Sequence, residues 1–198
     1  MTALRERILT GDIEPGPALP EESIASSYGV ARPTVRAALQ ELVFEGLLRR
    51  ERNRSAYVPR MTRDDIRDLF FVRAPLELHA VATLAERGVV PAAAEEALHR
   101  MERLPPDAPW ADVVDAALAF HRGLVQAVGS PRLSRLHRSL EAEVRLCFAQ
   151  VRRMHGGLPS HRPREHAQIL AAILQRDPLR ATDLLRAHLE GAVHLLIP

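Results

Sequence analysis

The spacing of apolar residues changes character along the chain. Over the first sixty positions the apolar runs are short and punctuated. Leu4 to Leu9 reads as a brief helix ended by Gly11, and Pro15-Gly16-Pro17 predicts a turn before the extended pair Leu19-Pro20. From Glu21 to Tyr28, the residues Ile24, Ala25 and Tyr28 fall on one helical face, and Gly29 supplies a C-terminal stop. Val30-Ala31 leads tightly into a second helix. It carries Pro33 in its first turn and Val35, Ala38, Leu39 and Leu42 on its inner face, and Gly46 ends it. Two short helices with matching apolar faces and a tight glycine-containing turn predict a helix-turn-helix. The β-like runs Leu47-Leu48-Arg49-Arg50 and Ala56-Tyr57-Val58, around the polar Asn53-Arg54-Ser55, predict a hairpin wing behind it.

Beyond residue 61 the alternating pattern disappears. Helical periodicity, cut by proline and glycine, predicts helices over about 63–87, 91–103, 109–128, 131–154, 161–176 and 178–196, with Pro75 expected to kink the first. The loops between them are short, so neighbouring helices should pack antiparallel in a bundle. The expected fold class is therefore mainly α. A winged helix-turn-helix would occupy residues 1–61 and an all-helical antiparallel bundle residues 62–198.

Charge distribution adds chemistry to this outline. The formal net charge of +2 is too small to imply a nucleic-acid partner by itself. All 27 basic residues are arginine, however, and Arg49, Arg50, Arg52, Arg54 and Arg60 crowd the wing against the single acid Glu51. On the second helix, Arg32, Thr34, Arg36 and Gln40 lie off the buried stripe, three of them near the N-terminus. There a recognition helix presents donors to base edges in the major groove. Arginines of the wing would meet phosphates or the minor groove. All nine histidines lie beyond residue 60. The lone cysteine, Cys147, cannot form an internal disulfide, and no apolar run approaches the ~20 residues of a membrane span. Charges within Met1 to Arg7 occupy the place of a signal peptide's apolar stretch, so a cytoplasmic location is expected.

The segment LRERILTGDIEPGPALPEESIASSYGVARPTVRAALQELVFEGLLRR, followed by NRSAYV, closely resembles the DNA-binding domain of GntR-type regulators. The resemblance implies that Arg32, Thr34 and Arg36 touch DNA and that Asn53 and Arg54 sit at the wing tip. It also marks two departures. Glu22 stands where many relatives carry an operator-contacting arginine. Ser55 replaces the usual wing glycine, which should restrict the turn because glycine alone takes positive φ freely.

Within the C-terminal part, three histidines interrupt apolar stripes. His121 lies among Val114, Ala117, Leu118, Leu124, Val125 and Val128. His166 lines up with Ile169, Leu170 and Ile173, and His188 follows Leu184 and Leu185. A single inward histidine is usually a hydrogen-bonded core residue. Three on three helices of one bundle can converge as a metal site, since zinc is held by three imidazole nitrogens with one open position. Arg73 and Arg145 are the other charged residues of interest. Their bland readings are helical ion pairs, Arg73 with Glu77 and Arg145 with acids at 141 and 143.

The stretches MTRDDIRDLFFVRAPLELHA, LAFHRGLVQAVGSPRL, REHAQILAAI and RAHLEGA resemble the FCD ligand-binding domain of the FadR-type branch. The resemblance implies a site in which an aspartate and three histidines coordinate one metal. His121, His166 and His188 occupy the histidine positions, but Ala117 occupies the aspartate position. Two readings stay open here: zinc or nickel on three imidazoles, with room for an effector carboxylate, or a metal-free pocket. Arg73 or Arg145 would then grip a carboxylate effector bidentately.

The leading expectation is a homodimeric transcriptional regulator on a palindromic DNA operator, modulated by a small organic acid, and not an enzyme. A second reading makes the bundle a dimerisation platform only, with a filled core. A metal-dependent hydrolase is the remaining class, but no HExxH, G-x-S-x-G or phosphate-cradling glycine loop is present, and Cys147 between Leu146 and Phe148 reads as core.

Overall fold

A computed structural model of the chain describes residues 2–155 and 163–197, with the side chains of 152–155 excepted. The N-terminal part contains α1 (Thr2–Leu9), β1 (Ala18–Leu19), α2 (Glu21–Tyr28), α3 (Arg32–Phe44) and β2 (Ala56–Tyr57). Leu4 and Ile8 of α1, Ala25 of α2, and Val35, Leu39 and Leu42 of α3 form one core with Leu47, Leu48, Ala56 and Val58. Gly29 ends α2 at φ 63°, a left-handed conformation that only glycine enters without a side-chain penalty, and so turns the chain into α3.

The wing departs from the expected hairpin. β2 pairs antiparallel with β1, Ala18 opposite Tyr57 and Leu19 opposite Ala56. The run Leu47 to Arg50 contributes only a single bridge, Arg49 with Tyr57. The chain diverges straight after Arg49 into the turn, and the other edge of β2 is taken by Ala18-Leu19, one residue earlier than the expected extended pair Leu19-Pro20. Within that turn the left-handed residue is Asn53, at φ 61°, while Ser55 is not among the residues with positive φ. Asparagine tolerates this region, so the serine at 55 brings no restriction.

The second part consists of α4 (Arg63–Arg87), α5 (Ala92–Glu102), α6 (Trp110–Ala127), α7 (Pro131–His155), α8 (Pro163–Leu174) and α9 (Pro178–Leu196). Positions 161 and 162, expected to open the fifth helix of this part, lie outside the described residues. Leu84, Phe120, Leu124, Ile169, Ile173 and Leu185 lie at the centre of the bundle, each with 0–1% of its surface exposed. Gly123 sets the roll of α6. A Cβ there would fall 2.5 Å from the backbone nitrogen of Ala94, so only glycine lets α5 press this closely. His121 lies about 200° around the helix from Gly123 and therefore faces away from α5.

Helix α7 belongs to both cores. Val144, Cys147 and Val151 pack in the bundle, whereas Leu146, 1% exposed, packs with the N-terminal residues. Gln150 of the same helix clamps the connecting segment: its side-chain nitrogen donates to the Pro59 carbonyl (2.7 Å), and its oxygen accepts from the Met61 amide (3.0 Å).

The start of α4 is tied to the wing. Thr62 and Asp65 form a reciprocal capping box, and Asp65 also accepts a 2.8 Å hydrogen bond from Arg49. Arg49 first, then Thr62, holds the Asp65 carboxyl at about 2, below its ordinary 3.8. Asp65→Ala should cost about 1 kcal/mol in urea unfolding, the usual loss of a helix cap. Because the folded value is the lower one, this contribution is present above pH 3.8 and is lost as pH falls through about 2. Wild type and variant should therefore converge in stability at the acid end. A gap as wide at pH 2 as at neutral pH would contradict the assignment.

Candidate functional site

Two constellations carry chemistry. The first is a groove of about 740 Å³ between α3 and the wing, lined by Arg32, Arg36, Arg50, Arg52, Asn53 and Arg54 together with Glu21 and Glu22. Arg32, Thr34, Arg36 and Gln40 are all exposed on α3, and Asn53 and Arg54 are exposed at the turn. Of the residues expected at a DNA surface, Arg32, Arg36, Asn53 and Arg54 line this groove, while Thr34 and Gln40 are exposed on α3 outside its lining. Sequence reasoning missed Glu21. Its two carboxylate oxygens accept from Arg36 at 3.0–3.3 Å and from Arg50 at 3.0 Å, which joins the recognition helix to the wing. The Arg36 pairing first, then Arg50, lowers the Glu21 pKa. Arg36 is half exposed, so its pair with Glu21 is a weak, solvent-screened contact that a phosphate or base edge can displace. The carboxylate fixes the plane of the guanidinium meanwhile. The only local signal for it was its position at the first turn of α2, facing the start of α3.

The second constellation lies inside the bundle. His121 of α6, His166 of α8 and His188 of α9 bring one ring nitrogen each to within 4.8 Å of one another. Their ring centroids stand 4.5–5.4 Å apart, and Phe120 closes against His166 edge-on at 4.8 Å. The space they enclose is therefore sized for an ion rather than a metabolite.

Two carboxylates orient the rings. Nδ1 of His121 donates to Glu77 (2.7 Å), and Nδ1 of His188 donates to Glu165 (2.7 Å). With those protons spent on carboxylates, Nε2 of each ring is left as an acceptor. The two Nε2 atoms nevertheless face each other at 3.2 Å. Two lone pairs at that distance repel unless a proton or a metal cation lies between them. Nitrogens bound at 2.0–2.1 Å to one tetrahedral zinc would be about 3.3 Å apart, so the spacing suits such an ion. Burial holds the His121 pKa down, against the pull of Glu77, and so favours the neutral imidazole that a metal requires. Ala117, one turn before His121, offers no donor and only a methyl group beside the core.

Glu77 is the centre of this arrangement and was read in sequence only as a partner for Arg73. It is fully buried and also accepts from Arg73 (2.5 Å) and from Nε2 of His137 (2.8 Å). Burial alone would raise its pKa, but Arg73 and His121, with His137, hold it well below the ordinary carboxylate range. Arg73 is 3% exposed and lies over the Phe70 ring, its guanidinium committed to Glu77. Arg145 is placed elsewhere, in the cleft between α1 and α7, where it pairs with Asp115 and Glu141. His137 could have been found from its place on the α7 stripe with Leu140, Val144, Cys147 and Val151.

The pattern of the FCD domain matches residues 68–191, and that of the bacterial regulatory proteins of the gntR family matches residues 1–58. An uncharacterized HTH-type transcriptional regulator, BphR, of Paraburkholderia xenovorans is 29% identical, over 98% of this chain and 82% of its own. The HTH-type transcriptional repressor GlaR of Escherichia coli is 27% identical, over 94% of this chain and 89% of its own. Among solved structures, a putative GntR transcriptional regulator of Rhodococcus sp. RHA1 superposes with a TM-score of 0.79 at 30% identity, covering 98% of this chain and 94% of that one.

Proposed function

The chain belongs to the GntR family of transcriptional regulators, in the branch with an FCD domain, and from that premise we propose that it is a homodimeric, metal-dependent sensor of a small carboxylate. It acts on DNA in the cytoplasm and is not an enzyme. α3 enters the major groove, Arg32, Thr34, Arg36 and Gln40 meeting base edges and phosphates, while Asn53 and Arg54 carry the wing to the backbone. Two copies read the two halves of a palindromic operator.

In the bundle, His121, His166 and His188 hold a divalent ion such as Zn²⁺ or Ni²⁺. The facing Nε2 atoms of His121 and His188, each turned inward by a carboxylate, are the observation that carries this reading. The ion supplies a Lewis-acidic position for a carboxylate of the effector, and Ala117 leaves that position without a protein carboxylate. Arg73 and His137 stabilise the site through Glu77 rather than by gripping the effector. Effector binding reaches the DNA-binding domain through α7, which carries His137 at one end and Leu146 further along. Only an effector that prefers one arrangement of that helix can change operator affinity.

Operator DNA selected by the protein from a random pool tests the DNA surface. Arg32→Ala and Arg36→Ala should each weaken binding, measured by fluorescence anisotropy at fixed salt, by about 1–3 kcal/mol if they read bases. Unchanged affinity in both variants would sink the assignment of α3.

A further inference from the structure

We propose that the cleft between the two domains is a second ligand site, for a small organic dianion. The cleft encloses about 650 Å³, within the range of small-molecule pockets. Four guanidinium groups line it: Arg5 from α1, Arg122 from α6, and Arg138 and Arg145 from α7. Two carboxylates of the lining, Glu45 and Glu141, face them, and Asp115 pairs with Arg145 from the adjoining cavity. Glu45 is held by Arg5 at 2.6 Å, and Glu141 by Arg122 at 2.5 Å. Arg138 has no ion pair or hydrogen bond among the described residues. The wall is therefore net cationic, with one cation unmatched, and the remaining surface is made by Leu9, Leu47, Gln126 and Ala142.

A second feature points the same way. Leu9 and Arg145 also border an adjoining cavity of about 260 Å³, whose lining includes Trp110. The indole Nε1 of Trp110 is buried and has no hydrogen-bond partner among the described residues. A buried donor left unmet carries a desolvation cost that an acceptor from a ligand would remove. Guanidinium forks and an N–H donor together describe a complement for oxyanions, a phosphate ester or a dicarboxylate alike. A ligand here would touch α1 of the DNA-binding domain and α6 and α7 of the bundle at once. Its occupancy would fix how the two domains meet. This site shares no lining residue with the histidine cluster or with the groove beside α3.

Trp110 is the single tryptophan of the chain, so its fluorescence reports on this junction alone. Inorganic phosphate and succinate serve as probes of the two possible sources of the dianion, titrated separately into the metal-free full-length protein. A saturable change in indole emission is expected with at least one, and the one that binds tighter names the source. Arg138→Gln, which breaks no contact, should weaken that binding, and the Arg122→Gln/Arg138→Gln double variant should weaken it by about tenfold or more. Arg32→Ala/Arg54→Ala, in the DNA groove, should leave the midpoint where it was. The proposal is overturned if neither probe gives a saturable change, if Arg138→Gln binds as wild type does, or if the DNA-groove variant moves the midpoint instead.

Discussion

Replacing Glu77 with alanine should destabilise the chain by about 3–5 kcal/mol, the loss typical of removing one partner from a buried charged network. The reason is visible in what would remain. Arg73 would keep a full charge at 3% exposure with no counter-ion, and the donors of His121 and His137 would lose their acceptor. Glu77→Gln keeps the shape and one acceptor oxygen, so its cost should be clearly smaller. Urea unfolding of the metal-free protein measures both. Glutamine also separates structure from metal binding. It weakens the carboxylate that aims Nε2 of His121, and loss of such a partner typically costs 10–100-fold in metal affinity. Zinc or nickel titration of Glu77→Gln should show a drop of about that size. The His121→Ala/His166→Ala/His188→Ala variant supplies the baseline. Equal affinity in Glu77→Gln and wild type would remove Glu77 from the site, and equal metal content in wild type and the triple variant would remove the metal.

Periodicity made most of the helices legible because each buries one apolar stripe, and the terminators lie where the chemistry puts them: Gly29 and Gly88 in left-handed caps, Thr62 with Asp65 at the start of α4. The three histidines were legible for the same reason, as polar residues standing on apolar stripes. What escaped were partnerships between distant elements. Glu77 looks like the second half of a helical ion pair with Arg73, and nothing in α4 itself tells that His121 and His137, 44 and 60 residues away, converge on it. Glu21 is hidden in the same way, since Arg36 and Arg50 approach it from two other elements. Strand pairing was legible in part. The turn joins Arg49 to Tyr57 as the local pattern predicts, but nothing local tells that Ala18-Leu19, nearly forty residues earlier, takes the other edge of β2.

Leu146→Ala tests the other long-range feature. Truncating a fully buried leucine costs about 2–5 kcal/mol, depending on how far the surroundings collapse. Leu146 sits on a helix of the bundle but fills the core of the DNA-binding domain, between the two units that the sequence alone would separate near Met61. The loss should therefore appear in the N-terminal domain first. In calorimetry, a single transition in wild type should split in the variant, with an early component from the winged helix and a later one from the bundle. Metal bound at the histidines should then raise the later component and leave the earlier one unchanged, because α7 no longer transmits its packing across the junction. A variant within about 0.5 kcal/mol of wild type, or one whose two parts still unfold together and respond to metal together, would show that Leu146 is not the coupling contact. The connection would then have to run through polar contacts between the same two domains, the hydrogen bonds of Gln150 and the Arg49–Asp65 ion pair.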